Sequence, residues 1–149
     1  MATFVVEKPI SKRLRFTIHG NQEDKTGNPI PYLRTTQKSQ WTDKAQRYHA
    51  WKDHVRAQYI DAVKALTGKE RELFNMADLL NTKPIPATKE KICMVINITW
   101  KNDAHADCDN VFKGIADALF TNDKYIVGSF DYEYSTENKG KVDVTLLFP

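Results

Sequence analysis

The segment Lys91–Trp100 (K-I-C-M-V-I-N-I-T-W) constrains the fold of this chain more than any other. It is a nearly continuous run of β-branched and apolar residues, a composition that fits a strand buried in the middle of a sheet. Just upstream, Pro84-Ile85-Pro86 forbids a helix and forces an extended linker. A central strand needs strands on both of its edges, and three other stretches can supply them. Leu14–His19 (L-R-F-T-I-H) alternates apolar and polar residues, and Tyr125–Tyr134 and Lys141–Phe148 also read as strands.

Between the strands lie helical patterns. Thr42 is placed to cap a helix running to about Leu66, because Tyr48, Trp51, Val55, Tyr59, Ala62 and Leu66 recur at three- and four-residue steps before Gly68. Asp109–Phe120 carries Val111, Phe112, Ile115, Ala116 and Leu119 at the same spacing. A shorter helix is expected within Glu70–Leu80. The order β, α, β, α, β, β predicts an α/β (α+β) fold, one domain over residues 1–149 with a small mixed sheet flanked by helices.

Charge is distributed unevenly along the chain. Residues 11–71 hold 13 Lys/Arg against 6 Asp/Glu, whereas residues 99–149 hold 5 against 9. A basic half beside an acidic half suits a surface that meets phosphates and a cluster that holds a cation, although solvated surface charge gives the same counts. The cysteines, Cys93 and Cys108, have no metal-binding spacing and are expected as free thiols in a reducing compartment. Phe4-Val5-Val6 is too short for a signal or membrane segment, so a cytoplasmic protein with no membrane partner is expected.

The chemistry-bearing segment is His105-Ala-Asp107-Cys-Asp109-Asn110, where strand and loop give way to a helix. In an extended stretch, residues two apart share a side, so Asp107 and Asp109 can present both carboxylates to one point. Two such charges converge only if a proton or cation intervenes. Mg²⁺ takes one or two protein carboxylates and completes its shell with water and phosphate. Lys113, one helical turn beyond Asp109, faces the same place. Asp123, before the next strand, is expected to return a third carboxylate to it. The spacing alone leaves another account open: Asp109 as a helix cap, and Lys113 paired with Asp117 on the helix surface. His105 either joins the site or is an ordinary satisfied histidine.

Taken together, Asp107-Cys-Asp109-Asn110-Val-Phe-Lys113-Gly-Ile-Ala-Asp117-Ala-Leu119 and Asn122-Asp123-Lys-Tyr-Ile-Val127 resemble the RusA family of Holliday-junction resolvases, small nucleases common in phages and prophages. The strand ending in Gly20, the Lys- and Pro-bearing loop after it and the aromatic-rich helix with Tyr48 and Trp51 are similar in order to the family's N-terminal half. The chain departs from the family in having Asn122-Asp123 where a pair of aspartates is common, in a short connection from the lysine to that Asp, and in few basic residues before Asp107. The resemblance implies that Asp107, Asp109 and Asp123 are the metal-binding catalytic acids and Lys113 the essential lysine. It further implies a requirement for Mg²⁺ or Mn²⁺, a homodimer, and hydrolysis of four-way DNA junctions in recombination and repair. A branched-DNA-binding protein on the same fold that no longer cuts is the alternative.

The DNA contacts expected on or beside the long Gly20–Gln40 loop are Lys25, Arg34, Lys38 and Lys44, each equally readable as surface charge. Trp41 is expected to anchor the following helix in the core rather than to stack on an opened base.

Overall fold

The computed structural model describes residues 12–20, 27–34, 36, 38–103 and 105–149. Four strands form one mixed sheet: β1 (Arg13–His19), β2 (Ile92–Trp100), β3 (Ile126–Tyr134) and β4 (Lys141–Leu147), in the order β1-β4-β2-β3. As its composition predicts, β2 is central. It pairs antiparallel with β4 and parallel with β3. A parallel pair cannot be joined by a tight turn. The crossover between β2 and β3 is made by α3 (Cys108–Leu119), which therefore starts at the end where β2 finishes and stops at the end where β3 begins.

One face of the sheet is apolar. Leu14 and Ile18 of β1, Val142, Val144 and Leu146 of β4, and Ile92, Met94, Ile96, Ile98 and Trp100 of β2 are all buried on it. Their alternate neighbours, among them Arg15, Thr17, Asp143, Thr145 and Asn97, project from the opposite face. Helix α1 (Asp43–Ala65) covers the apolar face with Tyr48, Trp51, Val55, Tyr59 and Val63, and α3 adds Val111, Ile115, Ala118 and Leu119. The result is a compact α+β domain with its core between sheet and helices.

Local chemistry sets the helix limits. Thr42 Oγ1 accepts a hydrogen bond from Ala45 N at 3.2 Å, and Asp43 and Lys64 lie at the ends the helix dipole favours for their charges. Toward the end of α1 the buried stripe passes through Val63, leaving Ala62 and Leu66 partly buried, because 3.6 residues per turn slowly rotates a three-four pattern. The expected helix at 70–80 is two pieces, α2 (Gly68–Glu72) and a 3-10 turn at Met76–Leu80, with Asn75 Oδ1 capping Ala77 N at 3.0 Å. Ile85 does more than link. Its N–H donates to Leu119 O at 2.9 Å and its carbonyl accepts from Thr121 N at 3.0 Å, which satisfies a carbonyl that the end of α3 would leave open.

Trp41 differs from expectation: it is 77% exposed. It sits just before the Thr42 cap, where an apolar side chain packs against the fourth helical residue, and that residue is the polar Gln46. No described helix is long and apolar enough to cross a membrane.

Candidate active site

The carboxylate pair sits where β2 hands over to α3. Beyond Trp100 the chain is held by buried Asn28, whose Oδ1 accepts from Lys101 N at 2.6 Å and whose Nδ2 donates to Asn102 Oδ1 at 3.1 Å. His105 then stacks on Trp100, ring centroids 4.2 Å apart and 10° from parallel, with Nε2 2.9 Å from Tyr134 Oη and Nδ1 2.8 Å from Ala106 O. Both ring nitrogens therefore have near partners, and the histidine serves to pin the approach to the helix.

Helix α3 begins one residue earlier than expected, at Cys108. Asp107 thus occupies the cap position, with extended backbone (φ −72°, ψ 142°), and Asp109 lies inside the first turn. Because the chain is helical from Cys108, strand alternation does not align the two carboxylates; they share only the helix start, where both act on the Cys108 thiol between them. The carbonyl of Asp107 accepts from Asn110 N and Val111 N at 3.2 and 3.3 Å, but its carboxylate makes no capping hydrogen bond. Both acids are exposed, at the end of the helix dipole that stabilises negative charge.

Between them, the Cys108 thiol is pushed up by burial. The Trp100 side chain opposes this, and the negative charges of Asp107, Asp109 and Asp131 add to it. Asp131, on β3, was not singled out from the sequence. It alternates with aromatic residues in F-D-Y-E-Y and carries no motif; only the parallel pairing of β3 with β2 brings it to this end of the sheet. Among the described residues, no three His, Cys, Asp or Glu side chains are grouped to hold a metal ion. Asp107 and Asp109 supply at most two carboxylates from one chain, a number that suits Mg²⁺ with its remaining ligands drawn from water and substrate.

Lys113 is exposed one turn beyond Asp109, with no described carboxylate in ion-pair range. The pairing of Lys113 with Asp117 does not form. Asp117 instead accepts from Tyr48 Oη at 2.7 Å and pairs with Lys52 at 3.3 Å and Lys83 at 3.4 Å. Burial pushes the Asp117 carboxyl up, yet the Tyr48 hydroxyl and the two ammonium groups outweigh it and hold it below the usual carboxylate range. Burial and the same hydrogen bond push the Tyr48 hydroxyl well above its ordinary value.

Asp123 is not brought to the pair within one chain. It lies past the C-terminal end of α3, where its carbonyl accepts from Ile126 N at 3.1 Å. That turn is level with the start of β2, since Ile126 pairs with Ile92, whereas Asp107 follows the finish of β2. The 12-residue helix between them is about 18 Å long. A β-α-β crossover necessarily places the residues before and after its helix at opposite ends of the sheet.

Of the expected DNA contacts, Arg34, Lys38 and Lys44 are exposed, and Lys25 lies outside the described residues. The loop bearing Arg34 crosses the first turns of α3. Tyr32 N donates to Asn110 O at 2.8 Å, and a side chain at Gly114 would begin 3.2 Å from Tyr32 N and 3.6 Å from Ile30 O. Gly114 is what allows this close approach. Arg34, two residues on, is within about 7 Å of chain from Tyr32. Lys38 and Lys44 sit on the Thr36–Thr42 turn and the first turn of α1.

No protein-family model matches this chain, and no curated protein matches it.

Proposed function

We propose that this protein is a Mg²⁺-dependent endodeoxyribonuclease of RusA-like type that cuts four-way DNA junctions, with Mn²⁺ able to replace Mg²⁺. One observation carries the reading. Asp107 at the cap and Asp109 in the first turn of α3 are exposed, and Lys113 a turn away pairs with no described carboxylate, while Asp117 further along that helix is fully engaged. Two exposed carboxylates and an exposed ammonium at one helix start are open to a cation and a phosphate, whereas Asp117 is already engaged within the fold.

In this reading Asp107 and Asp109 hold the cation. When bound there, the ion supplies Lewis acidity and a water of lowered pKa for phosphodiester hydrolysis. Lys113 neutralises the phosphate under attack and the charge that grows on it. Arg34, exposed two residues past the contact of Tyr32 with Asn110, holds the strand by its backbone, and Lys38 and Lys44 extend that contact. Asp123 reaches that site only from a second copy, so its share in the reading, though not the cation site of Asp107 and Asp109, requires a homodimer. Such a dimer also matches the two equivalent strands of a four-way junction. The free thiols of Cys93 and Cys108 suit work in the reducing cytoplasm.

A second reading is favoured by the lack of a third acid at the pair within one described chain: a branched-DNA-binding protein that does not cut. A synthetic four-way junction, with duplex and single-strand controls, is incubated with the protein in Mg²⁺ or in EDTA. Paired, ligatable nicks that need the metal are expected. Tight junction binding with no metal-dependent cleavage by the intact fold selects the non-cutting reading instead.

A further inference from the structure

Among the described residues, strand β3 forms an edge of the sheet, its only strand neighbour being β2. Eight of its nine residues are exposed, including Val127, Phe130, Tyr132 and Tyr134 at 43–53%. A long free edge carrying aromatic side chains is what a soluble sheet ordinarily avoids, because its unpaired N–H and C=O groups template another strand. Here neither proline nor lysine interrupts it.

From this we infer that β3 pairs edge to edge with β3 of a second copy, antiparallel about a two-fold axis at Phe130, to form one continuous sheet. The inference deepens the dimer of the proposed function and rests on that reading for its purpose, though not for its geometry.

Charge and register choose both the partner and the alignment. The exposed edge carries Asp131 and Glu133 and no lysine or arginine, so it is a poor seat for a phosphate backbone. Around a two-fold normal to the sheet, even-numbered residues meet even and odd meet odd, which keeps each face continuous. Centring the pair on Asp131 sets the two Asp131 side chains directly opposite. Centring it on Tyr132 sets Asp131 against Glu133 twice. Like charges directly opposite are destabilising. Centring on Ser129 runs Glu133 and Tyr134 past the end of the partner strand at Ile126.

The Phe130 register pairs the whole of Ile126–Tyr134. It sets Asp131 opposite Ser129, whose hydroxyl can donate to the carboxylate, and Glu133 opposite Val127. On the other face Phe130 meets Phe130, and Tyr132 lies across from Gly128, which has no side chain to obstruct the ring.

Sedimentation and oxidative cross-linking test this without DNA or metal. The protein is expected to be dimeric at micromolar concentration and Phe130→Asp monomeric, with the fold of each checked by circular dichroism. Phe130→Cys, which keeps the edge apolar, should link copies under oxidised glutathione at least about tenfold faster than Val127→Cys. The two residues at position 127 would be about 20 Å apart in this register. A monomeric wild-type protein, a dimer indifferent to Phe130→Asp, or faster linking at position 127 than at 130 overturns the pairing. A dimer of this register that does not cut junctions keeps the pairing and removes the nuclease; a cutting monomer does the reverse.

Discussion

The two ends of α3 treat negative charge in opposite ways. At its start, Asp107 and Asp109 are exposed, the Asp107 carboxylate makes no capping hydrogen bond, and Lys113 pairs with no described carboxylate. In its last turns, Asp117 is half-buried and engaged by Tyr48 of α1, by Lys52 one turn further along α1, and by Lys83 from the segment before β2. The second arrangement ties three pieces of chain together. The first ties nothing, although the same helix and the same residue types were available. The half-buried acid is surrounded by donors that offset its desolvation, whereas the exposed pair stays solvated.

The largest break expected is functional. Asp109→Asn should lower junction cleavage by on the order of 100-fold or more while leaving the unfolding free energy from urea denaturation within about 0.5 kcal/mol of wild type. A variant that still cuts at the wild-type rate would place the chemistry elsewhere. Lys113→Ala should follow with a loss of about 100-fold in single-turnover rate, again with no change in stability. Lys52→Ala, its counterpart at the structural end, should show the reverse pattern.

Asp117→Ala should cost about 1–3 kcal/mol in urea denaturation, because it leaves Tyr48 and two ammonium groups without their acceptor. Cleavage per folded molecule should be unchanged. Acid sharpens the same contrast. The folded-state pKa of Asp117 is depressed, so its stabilisation is complete above the unfolded value near 4 and is lost as pH falls through the folded value below it. Denaturation series at falling pH should therefore show a shallower acid loss for Asp117→Asn than for wild type. Parallel curves would mean that the cluster contributes little. The smallest effect belongs to the loop: Lys38→Ala should weaken junction binding modestly and reduce the salt slope by about one.

Much of the fold was legible from local pattern. Thr42 as a cap, the Tyr48–Tyr59 stripe and the β-branched run before Trp100 each depend on near neighbours in sequence, and each forms as expected. The helix at 70–80 broke in two, and its Asn75 cap is a local signal that periodicity passed over. Trp41 was misread because the polarity of Gln46, four residues past the cap, decides whether an aromatic there has anything to pack against.

The candidate site divides along the same line. Asp109 and Lys113 lie one helical turn apart and Asp107 caps the same helix, so local spacing put all three at one helix start, although not by the strand alternation expected. Whether Lys113 was free depended on Asp117, and that depended on Tyr48, Lys52 and Lys83, which are distant in sequence. The sequence by itself determined the elements, the central strand and the acidic helix start, because those follow from side-chain period and capping within a few residues. Only the tertiary structure decided that Asp123 stands at the far end of the sheet, that Asp131 joins the near end, and that β3 is a bare edge. The parallel pairing of β2 and β3 reverses the ends of everything that the helix between them connects.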